Sequence, residues 1–230
     1  GAKLLLFFDI PKFFPKKMCT FAEIFITYAE KRHPTMKKVL GLGNALTDML
    51  LQVSEDDLRE LGFPKGSMNL ISMQQAEQIQ MRFASVRKHM VAGGSASNAI
   101  NTIAALGGKA AFIGKIGNDE VGDFYREDML KNNVKPILLT SNKEMSGCSI
   151  VLITPDGERT FATYLGAASE MQADDIQKEA FLGYDIFHIE GYLVQNHALI
   201  EKAIRLAKES GCMVSLDLAS YNVVNENHLF

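Results

Sequence analysis

Cysteine is scarce in this chain, and Cys19, Cys148 and Cys212 lie too far apart to form a C-x-x-C pair, a zinc ligand set or a disulfide framework. That usage suits a reducing compartment, so the expected location is cytoplasmic. An excess of charge of either sign is lacking too: 24 Lys and Arg face 27 Asp and Glu, for a formal charge of −3. Without a basic field, nucleic acid and anionic membrane surfaces are not expected partners. No apolar run approaches the roughly 20 residues that a membrane-spanning helix needs. The five histidines show no H-E-x-x-H or paired ligand spacing, which leaves metalloenzyme chemistry without support. Two nucleotide motifs also fail. Gly41 to Leu46 (GLGNAL) begins like G-x-G-x-x-G but has Leu46 at the third glycine, and Gly114-Lys115 has Lys109 where a P-loop requires glycine. What remains is small-molecule chemistry on a chain of 230 residues, 47% hydrophobic, enough for one α/β core.

Continuous apolar stretches at Val39–Gly43, Ala110–Ile116, Asp185–Ile189 and Met213–Leu218 read as strands buried on both faces. Helical patterns alternate with them. Ser54-Glu55-Asp56-Asp57 and Ser72-Met73-Gln74-Gln75 carry capping signals, the second opening a helix that runs towards Arg87. Further helices are expected over Ser97–Leu106, Glu120–Asn132, Asp174–Leu182 and Asn196–Ser210. This alternation predicts a mostly parallel sheet with helices on both faces. Leu46–Val53, Met68–Ser72, Ile137–Thr140, Gly147–Thr154 and Arg159–Leu165 break the rhythm and read as a small antiparallel layer, its last pair joined by the turn Thr154-Pro155-Asp156-Gly157-Glu158. At the amino end, Asp9, Pro11 and Pro15 interrupt an apolar run too short for a signal-peptide core. Residues 1–35 are therefore read as an extension without an assigned role.

The most informative segment is Val91–Gly117, VAGGSASNAINTIAALGGKAAFIGKIG. Gly93 and Gly94 serve either as a tight packing joint or as a place where backbone approaches a ligand unobstructed by Cβ atoms. Ser95 and Asn98 add a hydroxyl and an amide suited to a polyhydroxy molecule. Upstream, GLGNALTD (Gly41–Asp48) places Asn44 and Asp48 just beyond the first expected strand, where ligands bind in open α/β sheets. A carboxylate there accepts hydrogen bonds from a vicinal diol, while the amide both donates and accepts.

These two segments, in this order, resemble signatures of the ribokinase or PfkB carbohydrate kinase family: Gly-Gly-x-x-x-Asn at Gly93, Gly94 and Asn98, and G-N-x-x-x-D at Gly43, Asn44 and Asp48. The serine in GGSASN is similar to the adenosine-kinase-like branch. The resemblance implies a ribokinase-like three-layer α/β/α fold whose small antiparallel β layer, about 46–72 and 137–165, is a lid over the acceptor. It implies an ATP-dependent phosphotransferase using Mg2+ and acting on the hydroxymethyl group of a sugar or nucleoside, with adenosine or a related ribose-containing acceptor favoured and fructose an alternative. Asn44 and Asp48 are then expected to hold acceptor hydroxyls, Gly93, Gly94 and Ser95 to approach the acceptor closely, and Asn98 to add a polar contact. Glu190, in IFHIEGY, matches an acidic acceptor contact of ribokinases, whereas Asp217 reads as a loop cap. Ile153 and Phe161 in the lid are the candidates for acceptor discrimination, and a homodimer through the lid is among the implied assemblies.

The family's glycine-rich G-A-G-D-like turn, with its catalytic aspartate, has no counterpart in the sequence, nor does N-x-x-E. Residues 36–230 are accordingly expected to form the acceptor-binding portion of a kinase, with the ATP site, the catalytic base and the C-terminal part of the fold lying beyond Phe230. A non-catalytic sugar- or nucleoside-binding module, or one that dimerises through its lid, is the alternative. Lys131, Lys135 and Lys143 fall in polar stretches and read as solvated.

Overall fold

The computed structural model describes residues 37–227; the expectation for residues 1–35 lies outside them. Two five-stranded sheets organise the chain. The first is wholly parallel, in the order β10 (Met213–Leu216), β9 (Ile186–Ile189), β1 (Lys38–Leu42), β5 (Lys109–Gly117), β6 (Val134–Ser141). The second is mixed, in the order β3 (Met68–Leu70), β8 (Arg159–Tyr164), β7 (Gly147–Ile153), β2 (Leu46–Gln52), β4 (His89–Gly93).

The central strands β9, β1 and β5 are buried on both faces, which is why they read as unbroken apolar runs. On one face Leu40, Leu42, Ile113, Phe187 and Ile189 pack against α5 (His197–Glu209) and the short turns around Ile176 and Phe181. On the other, Val39, Ala110 and Phe112 meet Ile100 and Ile103 of α3 (Ser95–Ala105) and Tyr125 and Met129 of α4 (Glu120–Lys131). Helix, sheet and helix thus form three layers. Gly41 is required by this packing, because a Cβ there would lie 2.5 Å from the Ile100 side chain. The remaining helix, α6 (Tyr221–Glu226), follows β10.

The mixed sheet is covered differently. Met49, Leu51, Ile150, Leu152 and Ala162 project to one face and pack on Leu58 of α1 (Glu55–Leu61) and on Ala76 and Ile79 of α2 (Met73–Arg82). Both helices start on capping boxes: Ser54 accepts from the Asp57 N–H, Ser72 from the Gln75 N–H, and each third-position side chain returns a bond. Successive strand residues alternate faces. Asp48, Leu50, Ser149, Val151, Phe161 and Thr163 therefore occupy the opposite face and contribute nothing to that apolar cluster.

Several expectations change. Ile137–Thr140 belongs not to the lid but to β6, paired in parallel with β5 from Ala110↔Val134 to Gly117↔Ser141. The intervening helix α4 makes β5, α4 and β6 a crossover unit, which places β6 beside β5 in the same sheet. The lid is mixed: β7–β8 and β2–β4 are antiparallel, while β2–β7 and β3–β8 are parallel. β4 itself was not anticipated. Asp174–Leu182 forms two short 3-10 turns, Ala173–Asp175 and Lys178–Phe181, separated by extended backbone that lets both Ile176 and Phe181 reach the core. The helix expected to run towards Arg87 stops at Arg82. The hairpin turn is as expected: the Gly157 N–H donates to the Thr154 carbonyl at 2.8 Å, with Gly157 at φ 84°.

Candidate functional site

Three connections meet at the carboxyl ends of the parallel strands. The loop after β1 carries Asn44 and leads into β2 with Asp48; the β4–α3 junction carries Gly93, Gly94 and Ser95; and β9 ends at Glu190. Parallel pairing of β9 with β1 brings Glu190 level with Gly43, so residues 146 positions apart in sequence become neighbours: Asn44 Nδ2 donates to Glu190 Oε1 at 2.6 Å.

Glu190 is 2% exposed, and its second oxygen accepts from the Ala96 N–H at 3.2 Å. That N–H belongs to the first turn of α3, whose amides have no intrahelical acceptor, and a carboxylate there satisfies one of them while facing the positive end of the helix dipole. Burial pushes the Glu190 carboxyl up to about 7, against the lowering effect of its bonds to Asn44 and Ala96. Asp217, after β10, is also 3% exposed and fully engaged: Oδ2 accepts from the Ser95 hydroxyl at 2.9 Å, and Oδ1 from the Gly191 and Ala219 N–H groups at 2.9 and 2.8 Å. It caps a loop, as the sequence indicates, and in addition ties that loop to the start of α3.

The glycine pair reconciles its two readings. A Cβ on Gly93 would fall 2.3 Å from Asp48 Cγ, and one on Gly94 would fall 2.3 Å from the Asn44 carbonyl oxygen. Gly94 also adopts φ 95°, a conformation that L side chains rarely take. The pair is thus a packing joint, and what it packs are the two polar residues of the first motif. Two residues without a sequence signal hold it from behind: the Tyr125 hydroxyl donates to the Gly93 carbonyl at 3.3 Å, and Asp128 accepts from the Ala92 N–H at 2.8 Å. Only the spacing of Tyr125 and Asp128 on one face of α4 hints at them.

Asp48 contrasts with the other carboxylates. It is part-buried on the face of the mixed sheet opposite the apolar cluster, and no described residue donates a hydrogen bond to it. Burial raises its pKa to about 6, with the charge of Arg159 acting in the lowering direction. Beside it, Ser149 and Thr163 bond to each other at 2.9 Å. Asn98 lies one helical turn into α3, its N–H donating to the Gly94 carbonyl at 2.9 Å, and is exposed. The structure therefore brings Asn44, Asp48, Gly93, Gly94, Ser95 and Glu190 into one contiguous cluster and leaves Asn98 at its exposed margin.

Among the described residues no group of three His, Cys, Asp or Glu could hold a metal ion, and both oxygens of Glu190 and of Asp217 are already engaged. These residues do not fit a magnesium–nucleotide site. No described helix is long and apolar enough to cross a membrane.

The parallel sheet between helical layers, with a mixed sheet set beside the carboxyl ends of its strands, defines a ribokinase-like fold. The profile of pfkB family carbohydrate kinases matches residues 66–225, and the chain belongs to that family. A probable fructokinase-2 from Arabidopsis thaliana is 30% identical over 131 residues, 54% of this chain and 40% of the relative. Among solved structures, adenosine kinase from Sinorhizobium meliloti superposes with a TM-score of 0.73 at 30% identity, over 84% of this chain and 60% of that one. A probable sugar kinase from Rhizobium etli CFN 42 gives 0.74 at 29% identity, over 84% and 59%. The chain thus spans about two fifths of the fructokinase and three fifths of the two solved structures.

Proposed function

We propose that residues 36–230 form the acceptor-holding portion of an ATP-dependent kinase that phosphorylates the hydroxymethyl group of a sugar or nucleoside. Asp48 carries this reading: it is the one carboxylate of the cluster without a hydrogen-bond donor among the described residues. A part-buried carboxylate left in that condition is costly, and acceptor hydroxyls are groups that would satisfy it. Asn44, its amide nitrogen held by Glu190, keeps its amide oxygen as an acceptor, and the Gly93–Gly94 backbone packs directly against Asp48 and the Asn44 backbone. Asn98 and Ser95 supply further polar contacts. ATP is the phosphoryl donor expected of the family, with Mg2+ as its companion; neither is assigned to residues described here, and the phosphoryl-transfer machinery is proposed to lie outside them.

The likeness to an adenosine kinase and to a fructokinase supports both a nucleoside and a ketose as acceptors. Adenosine is favoured, because the serine of GGSASN follows the adenosine-kinase-like pattern and because the part-exposed Ile153 and Phe161 extend the Asp48 face with apolar surface suited to a base. Titration of the purified chain with adenosine, ribose and fructose tests this. Saturable binding of adenosine, weakened at least tenfold in Asp48→Ala, is expected. Equal affinity in wild type and variant, or no binding of any of the three, contradicts the assignment.

A second reading, association of two copies through the lid, is supported by the edge strand β3, where Met68 and Leu70 are 46% and 64% exposed. Light scattering of wild type and Leu70→Lys separates a lid dimer, which the charge dissociates, from a monomer.

A further inference from the structure

The opposite end of the parallel sheet holds a polar cleft. The amino-terminal ends of β1, β5 and β6 line a cleft of about 660 Å3 with Lys38, Lys109 and Lys135, closed on one side by Ala180, Gly183 and Tyr184. That volume lies within the range of small-molecule sites. The three lysines are on the same face of the sheet. Lys38 and Lys109 are register partners on adjacent parallel strands, and Lys135 is the partner of Ala111, two positions beyond Lys109. Strand spacing near 4.8 Å brings the first two stems side by side, and like charges so placed repel.

One described carboxylate, Asp185, lies near Lys38: it accepts from the Lys38 N–H at 2.8 Å, and against the effect of its burial its pKa is lowered by that bond and by the charges of Lys37 and Lys38. Lys37, next in sequence, is paired with Asp185 at 3.2 Å, but Lys38, Lys109 and Lys135 form no ion pair among the described residues. Glu179 is the carboxylate in the lining, and it too is without a described ion pair. The rest of the wall is partly apolar, with Pro136, Ile137, Leu182 and the Tyr184 ring. Sequence alone assigned Lys135 to solvent. Lys135 is indeed exposed, and the register gathers it with two other cations over one concavity, an arrangement that attracts anions.

We infer that this cleft binds a small phosphorylated molecule, the three ammonium groups taking its phosphate and the Pro136, Ile137 and Tyr184 wall taking an apolar or aromatic part. The site lies at the far end of the strands from Asp48 and does not rest on the kinase reading.

Calorimetric titration of the full chain with phenyl phosphate and with inorganic pyrophosphate, at a fixed ionic strength of about 0.15 M to hold screening constant, tests it. Saturable binding of both is expected, at least tenfold weaker in Lys38→Gln/Lys109→Gln/Lys135→Gln. Tyr184→Ala should weaken phenyl phosphate several-fold more than pyrophosphate, Glu179→Gln should tighten both, and Asp48→Ala should change neither. Should the triple variant lose its circular dichroism signal, Lys109→Gln alone serves, with a loss of at least threefold expected. No saturable binding, or binding that survives the lysine substitutions in a folded variant, overturns the inference. Binding lost in Asp48→Ala but kept in the lysine variants overturns it as well, by placing the phosphate at the acceptor end.

Discussion

The parallel sheet and the mixed sheet treat their polar groups in opposite ways. At the carboxyl edge of the parallel sheet, Glu190 and Asp217 are almost wholly buried, and every carboxylate oxygen accepts from a named donor on a neighbouring loop or helix. On the mixed sheet, Asp48 sits on the face away from the apolar cluster and has no donor among the described residues. The first arrangement fixes geometry; the second leaves a demand that a ligand can meet. The Gly93–Gly94 joint connects the two, because it presses on Asp48 from one glycine and on Asn44 from the other.

The strongest disturbance of this comparison is Gly94→Ala. Its Cβ meets a backbone oxygen that cannot swing aside and the φ is positive, so a loss of about 3 kcal/mol or more in urea unfolding is expected. Gly62→Ala is the control, since Gly62 shares a positive φ but has nothing within 4 Å of the added atom; a loss of about 1 kcal/mol separates conformational cost from collision. Equal losses would show that the joint is not a close approach.

Next comes Glu190→Ala, which strands the Asn44 amide and the Ala96 N–H in a buried place. A loss of about 2 to 4 kcal/mol is expected, most of it recovered by Glu190→Gln, whose carbonyl keeps one acceptor. If the alanine variant is as stable as wild type, Glu190 is not the tie between β9 and α3.

Asp48→Asn should move stability the other way. The Asp48 pKa rises from 3.8 to about 6 on folding, so the folded state binds the proton more tightly than the unfolded chain. Its contribution is fully present below pH 4, declines as pH rises from about 4 to 6, and leaves a net cost above 6. The variant should therefore be more stable than wild type by roughly 1 to 3 kcal/mol at pH 7.5, with the difference shrinking below pH 5, while acceptor affinity falls. Thermal melts across that range check the sign; a variant less stable at pH 7.5 would mean that Asp48 is already satisfied in the folded protein. The smallest effect is that of Arg159→Ala, which removes the positive charge opposing the burial shift. The Asp48 midpoint should rise by a fraction of a unit, since the arginine is exposed and screened; a fall would place the charge elsewhere.

Much of the fold is written in local patterns. The capped helices at Ser54 and Ser72, the buried strands β1, β5 and β9 and the edge strand β10 follow from apolar runs and end signals, and the Thr154–Glu158 hairpin from its turn residues. What local patterns do not give is partner choice. β6 reads as a lid strand because the strands after it follow with few helices between them, and only its pairing with β5 places it in the parallel sheet. The site divides along the same line. Asn44, Asp48 and the glycine pair lie in recognisable motifs, but Tyr125 and Asp128 act through contacts 32 and 36 residues away, and their spacing marks only a shared face of α4, not their partners. Likewise the role of Glu190 depends on β9 lying beside β1, and the lysine cleft on the register of three strands.

The most direct test of the central claim is the titration of Asp48 itself, followed by carboxyl carbon NMR in the free chain and with saturating adenosine. A midpoint near 6 is expected in the free protein, falling by at least one unit when acceptor hydroxyls supply the missing hydrogen bonds. A midpoint that is the same with and without bound adenosine would contradict Asp48 as the acceptor's seat.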